Sequence, residues 1–362
     1  MRRLATALSS TALLTLLTLC TVAPPAHAGD GDVQRALDTL ARDSGVVGAI
    51  GALYVDGRRA GHGSAGSRLA GGKGGRIPSG ARYRVGSQTK LMTAAIVGQL
   101  AQEGRFGLDD KLADLLPVGE LVPAAAQITV RQLLRHTSGI PDYWQSGRFD
   151  DFDFTTYYSP QELVAATRDL PRTGAPGERF AYSNTNYVLL GMIIERFAGT
   201  SLADAFAQRV FQPLGMTRSY LPTRPPQGVK GPHGHGYLPD AQGALVDVDR
   251  QNASYGGAAG GVISTSDDMA RFHRALHQGT LPGGPDGPGG GDGGGPVGGG
   301  LCGDALPVRV AAGNAPGFMA VTYSTADGRR QFAVSATLRV KDYFALGAAV
   351  DRAAKAVLCP EG

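Results

Sequence analysis

Ser87 and Lys90 lie three residues apart in the stretch YRVGSQTKLMTAAIVGQL, Tyr83 to Leu100. On a helix that spacing puts a hydroxyl and an amine on one face, within reach of each other. An amine carried by an apolar helix is desolvated, which lowers its pKa and lets it take a proton from the hydroxyl. The helix N-terminus adds positive potential where an oxyanion develops. Together these make an activated serine nucleophile. The bland alternative is a solvated surface pair, since S-x-x-K is a weak pattern by itself. Context argues for the nucleophile: the pattern occurs once and opens the most apolar helix of the chain.

A second group of candidates sits in FAYSNTNYVLLG. If Tyr182-Ser183-Asn184 is extended, Tyr182 and Asn184 point the same way. A tyrosine near a cation gives up its proton more readily and can act as a general base, and an asparagine offers its amide to a substrate amide. The structural alternative is a helix cap at Asn184 or Thr185. The two roles are compatible.

These side chains need a frame. VVGAIGALYVDGRRAGHGSAG reads as a hairpin about Asp56-Gly57, and GFMAVTYSTADGRRQFAVSATL repeats the pattern about Asp327-Gly328. Apolar spacing predicts helices over Asp32 to Asp43 and Tyr343 to Leu358. Helix, strands, a long middle, strands, helix: the two chain ends are expected in one antiparallel sheet, with the terminal helices on a face. The middle, about 85 to 250, reads as helices and long loops. Leu91 to Ala101 is apolar nearly all round and therefore central. Tyr187 to Phe197 is a further helix, with Gly199 just past its end. The fold class is α/β (α+β). A sheet part is expected at about 29–80 and 255–362, and an inserted, mostly helical part at about 81–254. The run at 281–300 is mostly glycine, cannot bury enough apolar surface to offset its ordering entropy, and is expected to be flexible.

Residues 1–28 carry the marks of a secretory leader: Arg2 and Arg3, an apolar run over Leu13 to Val22, and Ala26-His27-Ala28 as a cleavage site. The run is short for a spanning helix. Leu19 before Cys20 is bulky where a lipoprotein signal wants a small residue, so a secreted protein without a membrane anchor is expected. The formal charge of +4, from 35 basic and 31 acidic residues, falls further when the two leader arginines leave. No basic stripe is interleaved with aromatics, so nucleic acid is not an expected partner. Beyond the leader remain Cys302 and Cys359. An even pair in an oxidising compartment reads as a disulfide. His233-Gly234-His235 is the one close histidine pair, in a Pro/Gly-rich stretch without a neighbouring carboxylate or cysteine, and reads as loop. Neither a metal nor a cofactor is called for, and a monomer is expected.

The blocks YRVGSQTKLMTAA, DDKLADLLP, ITVRQLLRHTSGIPDY, FAYSNTNYVLLGMIIE and GGAAGGVISTSDDMARF, in that order, resemble the serine β-lactamase-like, penicillin-recognising family. That family includes class C β-lactamases and secreted D-alanyl-D-alanine carboxypeptidases. The similarity runs from about residue 35 to 275 and resumes around Leu301. It implies an α/β domain, a helical domain and an active site in the cleft between them. It also implies that Ser87 is acylated, that Lys90 and Tyr182 share proton transfer, and that Asn184 binds the substrate's amide. The histidine of RHTSG, His136, looks structural in this setting, and the absence of G-x-S-x-G disfavours an α/β-hydrolase.

One motif departs from the family. Where the family has Lys/His-Ser/Thr-Gly on a sheet strand, before a Gly-aromatic pair, counting back from Gly317-Phe318 reaches Ala311-Ala312-Gly313. The glycine remains, but the cationic or imidazole side chain and the hydroxyl do not. A backbone oxyanion hole from Ser87 and Asn314 needs no side chain and stays available. The expectation is a Ser87 acyl-enzyme hydrolase of the D-alanyl-D-alanine carboxypeptidase type, acting on a small peptide or ester such as a peptidoglycan stem peptide and weakened at its third motif. Esterase, β-lactamase and binding-only pseudoenzyme are the alternatives.

Overall fold

The computed structural model describes residues 30–43, 45–281, 300–303, 306–341 and 343–359. The expected leader, 1–28, and nearly all of the glycine-rich run lie outside the described residues. The strands are β1 (Val46–Val55), β2 (Arg58–Gly66), β3 (Tyr83–Arg84), β4 (Tyr237–Pro239), β5 (Leu245–Asp247), β6 (Ile263–Ser264), β7 (Val308–Ala315), β8 (Phe318–Thr325) and β9 (Arg330–Leu338). The helices are α1 (Asp30–Leu40), α2 (Thr89–Gln102), α3 (Leu112–Leu115), α4 (Val130–Leu134), α5 (Pro160–Ala165), α6 (Asn184–Ala198), α7 (Leu202–Phe206), α8 (Ala253–Gly260), α9 (Ser266–His277) and α10 (Tyr343–Leu358).

Both hairpins form where expected. Asp56 and Gly57 take positive φ, 51° and 76°, at the β1–β2 turn. Two positive-φ residues give the turn whose twist matches that of the flanking strands. The five main strands make one antiparallel sheet in the order β2-β1-β9-β8-β7, so the first and last hairpins meet through β1 and β9, with Ile50 opposite Ser335. β8 is buried along its whole length. It shows no alternation because both faces are covered, by α10 on one side and by α9 on the other.

The second core surrounds α2, whose Met92, Ile96 and Leu100 are fully buried between α6 and α8. α6 starts three residues earlier than its apolar spacing suggests and stops at Gly199, which takes the left-handed conformation (φ 68°) that glycine adopts freely. α8 was not legible. Its sequence ASYGGAAG is rich in glycine, which disfavours helix, and Gly257 kinks it. Packing of Tyr255, Ala258 and Ala259 into the α2 core orders it, so helical packing extends past the expected boundary at 254. The β4–β5 hairpin likewise brings Asp247 and Asp249 to His235 and His233, so the stretch expected as a loop without a carboxylate neighbour has two.

Cys302 and Cys359 are joined (S–S 2.04 Å), tying the approach to β7 to the end of α10 across a separation of 57 residues. Closing a loop of that length constrains the unfolded chain by about 4 kcal/mol. Replacing Cys359 by Ser should lower the unfolding free energy by about that amount in urea titrations. A non-reduced peptide map of the wild type should contain the bridged pair.

Candidate active site

Ser87 sits in a tight 3-10 turn, Gly86–Gln88, that runs directly into α2. Two glycines let strand β7 lie against this turn. A Cβ on Gly86 would fall 2.6 Å from the backbone nitrogen of Asn314, and one on Gly313 would fall 2.0 Å from the Val85 carbonyl oxygen and 2.6 Å from the Ser87 nitrogen. Such separations exclude any side chain, so the two backbones touch directly. The contact brings the amides of Ser87 and Asn314 to one edge of the cleft, as a two-donor oxyanion hole requires.

A buried amide locks the same turn from below. Gln88 donates from Nε2 to the Ala320 carbonyl (3.0 Å), while its Oε1 accepts from Thr322 Oγ1 (2.9 Å) and from His273 Nε2 (2.9 Å). Burial holds His273 near pKa 3, so this ring is neutral and donates as N–H. The nucleophile turn is thereby bolted to β8 and α9. Gln88 carried no signal in the sequence, because its partners are nearly two hundred residues away or more.

Lys90 is buried, with its Nζ 2.6 Å from the Ala259 carbonyl oxygen, 2.8 Å from Asn184 Oδ1 and 3.3 Å from Ser87 Oγ. Among the described residues its hydrogen-bond partners include no carboxylate. Burial pushes its pKa down to about 7, against an opposing pull from Asp142. A neutral amine has two N–H bonds and one lone pair. Here the two carbonyl-type oxygens take the N–H bonds, and the lone pair is left for the Ser87 hydroxyl proton.

Tyr182 and Asn184 flank this pair, with the buried Ser183 between them facing the Pro141 carbonyl. Ser183 is extended (φ −149°, ψ 121°), so the alternation read from sequence holds. The Tyr182 hydroxyl is 2.7 Å from Ser87 Oγ. Its pKa is raised by burial, with the Ser87 hydrogen bond pulling the other way. The expectation that a nearby cation lets Tyr182 lose its proton more easily is not matched: although the residue is 43% exposed, packing around its hydroxyl moves the pKa upward, so the phenol is the form at neutral pH. His136 stacks on its ring at 4.5 Å and accepts from the Ser183 amide (3.1 Å). Burial and Lys90 hold His136 near pKa 3, so it acts as a neutral wedge, in keeping with its structural reading.

Asn184 differs more from expectation. Its Oδ1 accepts from Lys90, and its Nδ2 donates to Asp142 Oδ2 (2.8 Å), which also accepts from the Asn184 backbone amide (2.9 Å). The amide expected to meet substrate is thus already a bridge between Asp142 and Lys90. Each end keeps one further hydrogen-bonding valence for a ligand. Asp142 was not singled out from sequence; it lies at the end of the RHTSGIPDY block, and only the fold brings it under α6.

These groups open onto a cleft of about 280 Å³, lined also by Trp144, Tyr255, Asn314 and Asp151. Burial raises the pKa of Asp151, and Lys341 opposes that rise. Ala311 is buried in the sheet and Ala312 is exposed on β7. Both are alanines, so no cation or hydroxyl stands at the third-motif positions, and neither methyl group reaches the wall of the cleft, which a longer side chain there could.

Two outcomes follow. Acylation needs neutral Lys90, so its rate should rise with pH through about 7. The folded-state pKa lies below the ordinary lysine value of 10.5, so the unfolded chain binds the proton more tightly. Stability should therefore rise with pH between about 7 and 10.5 and carry the full burial penalty below 7. Lys90→Met should abolish both dependences, slow acylation by roughly 10²–10⁴-fold and leave stability at pH 6 undiminished. Rate profiles and urea titrations across pH check this. Gly313→Ala should cost at least about 100-fold in acylation by wedging β7 away from Ser87, measured by burst kinetics with a chromogenic ester.

The Beta-lactamase family profile matches residues 33–317. Penicillin-binding protein 4 of Amycolatopsis lactamdurans is 33% identical over 261 residues, covering 69% of this chain and 65% of that protein. The chain thus spans just under two thirds of that curated relative. Among solved structures, a D-stereospecific amidohydrolase from Streptomyces sp. superposes with a TM-score of 0.73 and 29% identity, covering 92% of this chain and 99% of the other. A D-amino acid amidase from Ochrobactrum anthropi SV3 gives a TM-score of 0.72 at 26% identity, covering 90% and 97%. The profile match over most of the chain, on a fold shared with these hydrolases, places the protein in the Beta-lactamase family of serine acyl-transferring enzymes.

Proposed function

We propose that the protein is an exported serine amidohydrolase that forms a Ser87 acyl-enzyme on small amides and esters of D-amino acids. One observation carries this reading: the buried Lys90 amine lies 2.6 and 2.8 Å from two carbonyl-type oxygens that can take its N–H bonds and 3.3 Å from Ser87 Oγ, so in the neutral form its lone pair is left for the serine proton. Lys90 takes the Ser87 proton as Oγ attacks the carbonyl. The oxyanion is met by the Ser87 and Asn314 amides, and the Tyr182 phenol gives its proton to the departing amine. The proton held on Lys90 then returns to the phenolate through water that enters as the amine leaves, so both groups are neutral again before deacylation. Water enters by the reverse proton path and frees the acid. The N-terminal Arg2, Arg3 and Ala26-His27-Ala28 pattern supports export.

The alanines at 311 and 312 shape the choice of substrate. A D-alanyl-D-alanine peptide ends in a carboxylate, which in this family the third-motif side chains would face. A simple amino acid amide has no carboxylate at that end and loses nothing by their absence. A free amino acid amide carries instead an ammonium, and Asp151 supplies a carboxylate in the wall of the cleft. The structural neighbours, a D-stereospecific amidohydrolase and a D-amino acid amidase, support this choice.

Fluorophosphonate and penicillin probes should label Ser87 alone, and Ser87→Ala should abolish labelling and turnover. D-Phenylalanine amide and an activated D-aminoacyl ester should be hydrolysed well, and a D-alanyl-D-alanine peptide poorly. A charge-assisted contact contributes about 1.5–3 kcal/mol, roughly 10–150-fold in binding. Asp151→Asn should therefore raise KM at least about tenfold for the free amine and leave its N-acetyl analogue unchanged. Ala311→His with Ala312→Thr should improve the peptide more than the amide. Efficient cleavage of the peptide by the wild type would overturn the substrate assignment, and absence of any acyl label would overturn catalysis.

A further inference from the structure

The geometry points to a binding site for one first-row divalent transition cation, of the zinc class, formed by His233, His235 and Asp249 on the flank of the cleft. One donor atom from each of these residues lies within 4.8 Å of the other two. The arrangement follows from the backbone. The β4–β5 pairing sets Tyr237 opposite Asp247, and the Val248 amide extends it by donating to the Gly236 carbonyl (2.9 Å). Two extended segments therefore run side by side, one carrying His-x-His and the other Asp-x-Asp. In extended chain, residues two apart share a face, so two imidazoles face two carboxylates.

The rings are held as ligand rings are held. His233 and His235 stack at 5.1 Å, 16° from parallel. Nδ1 of His233 is 2.5 Å from the Gly231 carbonyl oxygen, and Nδ1 of His235 is 2.8 Å from Asp247 Oδ2. With each Nδ1 engaged by an outer oxygen, Nε2 is the ligand atom of both rings; this is the carbonyl and carboxylate support that fixes metal-binding imidazoles. Nε2 of His233 already faces Asp249 Oδ1 at 2.8 Å, and a cation would enter between them. Two imidazoles and one carboxylate suit zinc, cobalt or nickel far better than magnesium or calcium, with water completing the coordination. Two arginines lie close. Arg84 bonds the main-chain oxygen of Asp249 (2.6 Å) and Arg68 that of His233 (3.1 Å), so both leave the donor atoms free while lowering affinity for a cation.

The site would brace a part of the cleft. Gly236 abuts Gly317 so closely that a Cβ there would fall 2.3 Å from the Gly317 oxygen, and Gln251, two residues beyond Asp249, lines the cleft. A cation here would pin these segments together from outside, without touching Ser87. The test is therefore independent of hydrolysis. Tag-free, chelator-washed protein is titrated with zinc chloride by calorimetry, and its melting temperature is recorded with and without zinc. One equivalent should bind, and the melting temperature should rise by about 2–5 °C. His235→Ala, at a partly exposed position, and Asp249→Asn should each reduce binding at least tenfold, and His235→Ala should keep its zinc-free melting temperature within a few degrees of the wild type. Absence of zinc binding by the wild type, or undiminished binding by His235→Ala, would overturn the site and leave an ordinary histidine–aspartate ion pair.

Discussion

Much of this molecule is arranged around an amine kept out of water with no carboxylate among its hydrogen-bond partners in the described residues. Lys90 enters the protein interior on a helix that is apolar on every side, and its three hydrogen-bond partners are a carbonyl oxygen, an amide oxygen and the serine hydroxyl. A carboxylate in direct contact would stabilise the ammonium and hold the proton on nitrogen. Asp142 stands one residue away instead, with Asn184 between, so its influence is felt but weakened. The folded chain tolerates the desolvated amine because the surrounding core of α2, α6 and α8 is large. The arrangement is a local cost in stability held by packing elsewhere, as is usual where a side chain must be reactive.

The second constraint is distance between backbones. The serine turn and strand β7 belong to segments more than two hundred residues apart, yet they touch main chain to main chain at Gly86 and Gly313. That contact aligns two amides at the edge of the cleft, and it explains why the glycine of the third motif persists where its two neighbours do not. Gly313 serves the shape of the site, whereas positions 311 and 312 serve what the site holds. A chain can change the latter without disturbing the oxyanion donors, which is the basis for proposing carboxylate-free substrates rather than none.

The rigid parts and the adaptable parts are separated accordingly. Gln88, Thr322 and His273 form a buried and fully paired set of hydrogen bonds that fixes the nucleophile turn on the sheet. Across the cleft, Trp144, Tyr255 and Asp151 come from the helical side and its connecting segments. The nucleophile turn and the Asn314 amide thus rest on the sheet, while Lys90, Tyr182 and the wall groups Trp144, Tyr255 and Asp151 come from the helical side.

The sequence by itself determined the hairpins at Asp56-Gly57 and Asp327-Gly328, the C-terminal helix, the central apolar helix and the Ser87–Lys90 relation. Each depends on a local period or a turn residue, and local patterns survive in one dimension. Tyr182 and Asn184 were legible as a pair for the same reason. Only the tertiary structure decided their chemistry. Tyr182 stays a phenol because burial outweighs its hydrogen bond to Ser87, and Asn184 became a bridge because Asp142 arrived beneath it from 42 residues away in the chain. The helix over Ala253–Gly260, the Gln88 anchor and the carboxylates opposite His233 and His235 were invisible beforehand, since nothing in a glycine-rich octapeptide, one glutamine or a histidine pair records what will pack against it. Periodicity encodes which face is buried; the partner on that face, and so the pKa and the role, exists only once distant segments meet.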